Sequence, residues 1–239
     1  SAKIIFHFAA FTDVKAAEKE KDLGQESEAW KINVIGTQNV AKSCEQFGKK
    51  LIHFSTVLVL GGDKMPDGGF REDDKPNPIS FYAQTKYEAE KVVKALPNPW
   101  VIVRPAYPYR KEFTKPDFVR FFIQILSSGK SISVLTDRIV TPTFIDDIAP
   151  ALDTLIEKDS TGIYHVVGSQ IISMYEAVVL IAKTFGLDNS LITKTTRAEF
   201  LAGRFPEPFS SALNNDKIKQ LGVNMHTFID GLQIIKANL

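Results

Sequence analysis

The chain has 239 residues, 44% hydrophobic and 24% charged, with 29 basic against 28 acidic side chains and a net charge of +1. That describes one sizeable globular unit with its own core; the balance leaves no electrostatic footprint for nucleic acid, and no apolar run reaches the ~18 residues of a membrane span. A single cysteine, Cys44, excludes an internal disulfide, four histidines without HExxH spacing argue against a metal site, and with no signal peptide at its start a cytoplasmic protein is expected.

In chain order, Lys3 to Ala10 reads as a buried strand and Ser27 to Phe47 as a helix, with Trp30, Val34, Val40, Ala41 and Cys44 near helical spacing. Lys50 to Thr56 is a second strand, Tyr82 to Leu96 a second helix, and Trp100 to Arg104 a third strand stopped by Pro105. Apolar strands separated by helices predict an α/β, Rossmann-type parallel sheet covered on both faces. Beyond Pro105 the texture changes. Phe118 to Ser128 reads as an amphipathic helix closed by Gly129, and Asp146-Asp147 as the cap of a helix running to about Lys158. Gly162 to Val167 is a strand, Met174 to Phe185 a helix ended by Gly186, and Phe205 to Phe209 a rigid loop before a last helical region. The division expected is a dinucleotide-binding part over 1–105 and, over 106–239, a smaller substrate-binding lobe that sends at least one strand back to the sheet.

Three places could carry chemistry. Tyr82 and Lys86 stand four apart on the opening turns of a helix and share a face. A lysine cation beside a phenol favours phenolate, which would lower the tyrosine pKa towards neutrality for acid/base work; a solvated helix pair would look the same. Thr56 ends a buried strand, where open α/β sheets bind ligands, and could hydrogen-bond the oxygen that Tyr82 protonates. His7-Phe-Ala-Ala10 places small residues at another strand end, and Asn33, costly inside an apolar helix, must bond something specific. Other signals fall away: Gly129-Lys130-Ser131 has Gln124 where a phosphate loop needs its first glycine, and Glu72-Asp73-Asp74 reads as a solvated loop.

Taken together, His7-Phe-Ala-Ala10, Asn33-Val-Ile-Gly-Thr37, Phe54-Ser-Thr56, Tyr82-xxx-Lys86 and Val103-Arg-Pro105 occur in the order found in extended short-chain dehydrogenases/reductases, with a 26-residue step from Thr56 to Tyr82. Phe70 to Pro78, Asp137 to Thr143, Gly162 to Gly168 and Ser211 to Lys217 resemble the dTDP-4-dehydrorhamnose reductase family within that superfamily. The resemblance implies NAD(P)-dependent reduction of a nucleotide-linked 4-keto-6-deoxy sugar. It makes Tyr82 the general acid, Lys86 its tuner and a holder of the nicotinamide ribose, and Thr56 the orienter of the substrate oxygen. NADP or NAD would lie along Phe8, Ala9, Ala10, Ser55 and Pro105, with Asn33 supporting Lys86 through a water or backbone bond. Thr12, Asp13, Tyr107 and Arg204 would meet the substrate, and a homodimer stays open.

The sequence also departs from that pattern. It holds no GxxGxxG and starts at what resembles the fourth strand of the fold, so the glycine-rich unit is expected to lie outside these residues rather than to be lost. Val57 stands where relatives carry an acidic residue. A nucleotide-sugar epimerase or dehydratase would use the same tyrosine and lysine, but dehydratases carry an acidic pair near Thr56 that Val57 and Leu58 do not supply. A non-catalytic relative, such as a methionine adenosyltransferase regulatory subunit, is the alternative from another class.

Overall fold

The computed structural model describes residues 2–61, 65–110, 117–200 and 211–238. Its centre is a parallel four-stranded sheet in the order β1 (Ile4–His7), β2 (Lys50–Phe54), β3 (Trp100–Arg104) and the returning strand Gly162–His165. β2 is buried along Lys50 to His53, because helices cover both faces of the sheet. On one face Leu51 and Ile102 pack with Ala41, Cys44 and Val93. On the other, Ile52, Val101, Val103 and Tyr164 pack with Ala151, Leu152, Leu155 and Ile218. Period-two alternation separates the two sets. β1 lies at the edge of the described sheet, and Phe8, just beyond it, is 59% exposed.

The crossover from β1 to β2 contains more than the one helix expected. A short helix, Val14–Lys19, comes first, with Asp13 accepting from the Ala16 amide as its cap. The long helix then runs Glu28–Trp30, widens into a π-turn over Lys31–Ile35, and continues as Gly36–Gln46. π-turns often mark functional positions, and this one carries the buried Asn33. Helix Phe81–Lys94 returns β2 to β3, with Ser80 accepting from the Ala83 amide at its start.

A second core forms where Tyr109, Val119, Phe122, Phe144, Ile181, Phe228 and Leu232 meet, mainly from helices Phe118–Ser127, Met174–Phe185 and Phe228–Lys236. Met174–Phe185 opens with a reciprocal Ser173–Glu176 capping box and closes on Gly186 at φ +68°. Short strands missed by periodicity, among them Ile132–Leu135 paired with Ile192–Thr195, border this core. Gly168 joins the two parts, and a Cβ there would run into the carbonyl oxygen of Pro142.

Two readings of acidic residues change. Asp147 does not cap the helix Ile148–Glu157 with its side chain. Its carboxylate instead accepts from the His226 amide at 2.8 Å and from His226 Nδ1 at 2.6 Å, tying that helix start to the C-terminal segment. Glu72 is not simply solvated, since its Oε1 accepts from the His165 amide at 2.9 Å. A carboxylate satisfies two donors on another segment better than it repeats a cap the backbone can do without.

Candidate active site

The carboxyl ends of β1, β2 and β3 converge on the start of helix Phe81–Lys94. Ser55 and Val57 extend the β2 line beyond the strand, their amides donating to the carbonyls of Val103 (2.8 Å) and Pro105 (3.1 Å). Thr56 between them is extended, and its Oγ1 accepts from the Leu58 amide at 3.2 Å. That turn sets the hydroxyl towards the phenol of Tyr82, whose pKa it pulls down.

Tyr82 is nearly enclosed by Phe81, Ala17 and Ala29, with Phe11, Val14, Trp30 and Leu58 packed around them. Glu18 fixes the approach by accepting from the Phe81 amide at 3.0 Å. Burial pushes the Tyr82 phenol up to about 12, with the Thr56 hydrogen bond pulling the other way. The expectation that Lys86 lowers this pKa is therefore corrected: desolvation of a phenolate outweighs any help from the lysine, and Tyr82 stays protonated through the neutral range.

Lys86, one turn on, is 2% exposed, and its Nζ donates to the Phe54 carbonyl at 2.7 Å. Burial brings its ammonium down to about 8, against the opposing pull of the Glu90 carboxylate. Asn33 does not reach Lys86 directly. Its Oδ1 accepts from the Phe11 amide at 2.8 Å, and its Nδ2 donates to the Phe11 carbonyl and to Thr85 Oγ1 at 2.9 Å. It thus ties the β1 loop to the residue next to Lys86.

Behind Lys86 lies a buried ion pair that periodicity did not single out. Arg104 donates to both carboxylate oxygens of Glu90, at 2.8 and 2.7 Å, with both side chains wholly enclosed. Arg104 Nη1 also lies 3.4 Å from His165 Nε2. Burial, with the guanidinium beside it, brings the His165 imidazole down to about 3, so it is neutral. The only early signal was position: Glu90 follows Lys86 by four residues on one helix, and Arg104 ends an apolar strand.

Of the remaining candidates, Ala9 and Ala10 lie on the open loop beside Phe8, Ser55 is buried with its hydroxyl unpartnered, and Pro105 follows β3. Thr12 and Asp13 are exposed, Asp13 serving as the helix cap. Tyr107 sits at φ +43°, a strained setting for a non-glycine residue. Its hydroxyl accepts from Arg138 Nε at 3.0 Å and lies 3.2 Å from Ser211 Oγ. Arg204 lies outside the described residues. Among the described residues no cluster of His, Cys, Asp or Glu could hold a metal, and no helix is long and apolar enough to cross a membrane.

The model of the RmlD substrate binding domain matches residues 1–238. The chain belongs to that family. A structure of dTDP-4-dehydrorhamnose reductase from Bacillus anthracis in complex with NADP is 32% identical, with a TM-score of 0.85 over 99% of this chain and 81% of that one. A dTDP-4-dehydrorhamnose reductase of Aggregatibacter actinomycetemcomitans is 28% identical over 98% of this chain and 80% of its own length. The methionine adenosyltransferase 2 subunit beta of Xenopus tropicalis is 28% identical over 89% of this chain and 65% of its own length. The parallel sheet agrees with the Rossmann-type fold expected of the RmlD family.

The residues present fit a nicotinamide dinucleotide. A buried ammonium that gives one N–H to Phe54 keeps two further donors for hydroxyls, and the loop after β1 offers only small or aromatic side chains at an open strand end.

Proposed function

We propose that this RmlD-family chain reduces the 4-keto group of a nucleotide-linked 6-deoxy sugar with NADPH or NADH. The observation that supports this most is the enclosed Thr56–Tyr82–Lys86 set at the sheet's carboxyl ends, in a chain that shares almost its whole length with dTDP-4-dehydrorhamnose reductases. Lys86 and the loop Phe8–Ala9–Ala10, with Pro105, would hold the cofactor, which when bound supplies hydride to the carbonyl carbon. Tyr82 donates its phenolic proton to the carbonyl oxygen as charge develops there. Thr56 orients that oxygen through its hydroxyl, and the apolar shell of Tyr82 excludes water that would compete for the proton. Lys86 stabilises the phenolate left behind, the form burial makes costly.

The test is turnover. The full-length protein, given a dTDP-linked 4-keto-6-deoxy sugar, should oxidise NADPH and yield the 4-hydroxy sugar in equal amounts. Tight dinucleotide binding without turnover would overturn the enzymatic reading and favour the regulatory one suggested by the methionine adenosyltransferase subunit.

The pH dependence should report Lys86 rather than Tyr82. The ammonium is present below about 8 and is lost above it, whereas the phenol stays protonated to about 12. Reduction should therefore fall as pH rises through that lower value. Lys86→Met should lower the plateau and abolish the limb. A limb that persists in the variant would belong to another group.

A further inference from the structure

His53 lies at the middle of the sheet, between His7 of β1 and Ile102 of β3. It is wholly buried, and neither ring nitrogen has a hydrogen-bond partner in the protein. A neutral imidazole has one donor and one acceptor to satisfy, and leaving a buried polar group unmatched costs about 1–3 kcal/mol. A leucine or phenylalanine would fill the same volume without that cost, so packing alone is a poor reason for histidine here. The strand's own backbone offers no help, because β2 pairs on both sides.

The surroundings point to Lys86. Its ammonium donates to the carbonyl of Phe54, the residue next to His53, and its charge bears on both His53 and His7. The two imidazoles stand 5.2 Å apart, centre to centre. The Thr37 hydroxyl gives its proton to the Asn33 carbonyl at 2.6 Å, so the 3.1 Å contact with His7 is a bond donated by His7 Nε2–H. His7 Nδ1 therefore carries a lone pair. Burial, and then the Lys86 charge, hold both imidazoles below the usual histidine range, so both are neutral beside the one cation.

The charge of Lys86 bears on His7 from β1 and His53 from β2, and the Glu90 carboxylate of its own helix bears on Lys86. Arg104 is closed onto Glu90.

We propose that His53 is a positioning residue for Lys86, joined to the ammonium by one internal water that takes its hydrogen bond from Lys86 and gives one to the imidazole. The bridge is assigned to a water because no direct bond joins the two, His53 leaves both ring nitrogens buried without a partner, and Lys86 has N–H groups beyond the one given to Phe54. The assignment rests on Lys86 having the role proposed above, but its test does not depend on turnover.

The experiment is a titration of the full-length protein labelled with [ε-13C]lysine, the Lys86 signal assigned by its loss in Lys86→Met. His53→Phe should lower the Lys86 pKa by about one unit, a tenfold smaller ammonium-to-amine ratio at a given pH. His53→Gln, which keeps a donor and an acceptor, should restore most of it, and the alkaline limb of reduction should move with the titration. If His53→Phe fails to fold, His53→Leu serves as the apolar variant. Lys86 titrating alike in wild type, the apolar variant and His53→Gln would overturn the proposal and leave His53 a core residue. Failure of the reductase reading would show in turnover alone and would leave the lysine titration as it stands.

Discussion

Tyr82→Phe is expected to lower the rate of reduction by about 10²–10⁴-fold while leaving the fold and dinucleotide binding in place. The range is the usual contribution of a positioned general acid. The fold should survive because the ring, held by Phe81, Ala17, Ala29 and their neighbours, keeps its volume, and only the hydroxyl is removed. The Thr56 hydroxyl can still reach the substrate oxygen, so binding should change less than turnover. Single-turnover kinetics with NADPH, beside thermal unfolding of the same samples, separates the two effects. A variant within a few-fold of wild type would remove Tyr82 from the proton transfer.

Arg104→Met should be the most destabilising single change near the site, by about 3–5 kcal/mol in denaturant unfolding. It leaves the wholly buried Glu90 carboxylate without its two short hydrogen bonds, with only Lys94 Nζ at 3.4 Å remaining, and removes a partner from His165. That is a large share of the roughly 5–15 kcal/mol that keeps a domain folded. Glu90→Leu combined with Arg104→Met should recover most of the loss, because the paired charges repay little beyond their own desolvation. If the double variant is no more stable than the single one, the pair does more than balance its own burial. The pH dependence has a definite sign. Burial alone would raise the Glu90 carboxyl, but the Arg104 guanidinium holds it below its ordinary value near 4.5. Its contribution is therefore present above that value and is lost as pH falls through the lower folded pKa.

Much of this was legible in the order of residues. The runs Lys50 to Thr56 and Trp100 to Arg104 are apolar enough to mark strands buried on both faces, and they fold as β2, which stops at Phe54, and β3. Gly186 ends its helix in the left-handed conformation, as expected. The four-residue step from Tyr82 to Lys86 placed both on one helix, because helical periodicity is a property of the local chain. The polar, six-residue helix Val14–Lys19 carried too short a pattern to be seen.

What the sequence by itself determined was which side chains share a face: strand alternation puts Leu51 and His53 together, and helix spacing aligns Tyr82, Lys86 and Glu90. What lies opposite those faces depended on sheet register and crossover paths, which bring together residues far apart in the chain. Only the tertiary structure decided that Asn33 meets Thr85, that Asp147 holds His226 instead of capping its helix, and that Glu90 closes on Arg104. It also decided the electrostatics. Spacing suggested a lysine lowering the tyrosine pKa, but enclosure on all sides raises the cost of phenolate above what the neighbouring cation returns, so Tyr82 rises to about 12 and Lys86 falls to about 8. Charge type can be read from one residue, whereas desolvation is set by everything packed around it.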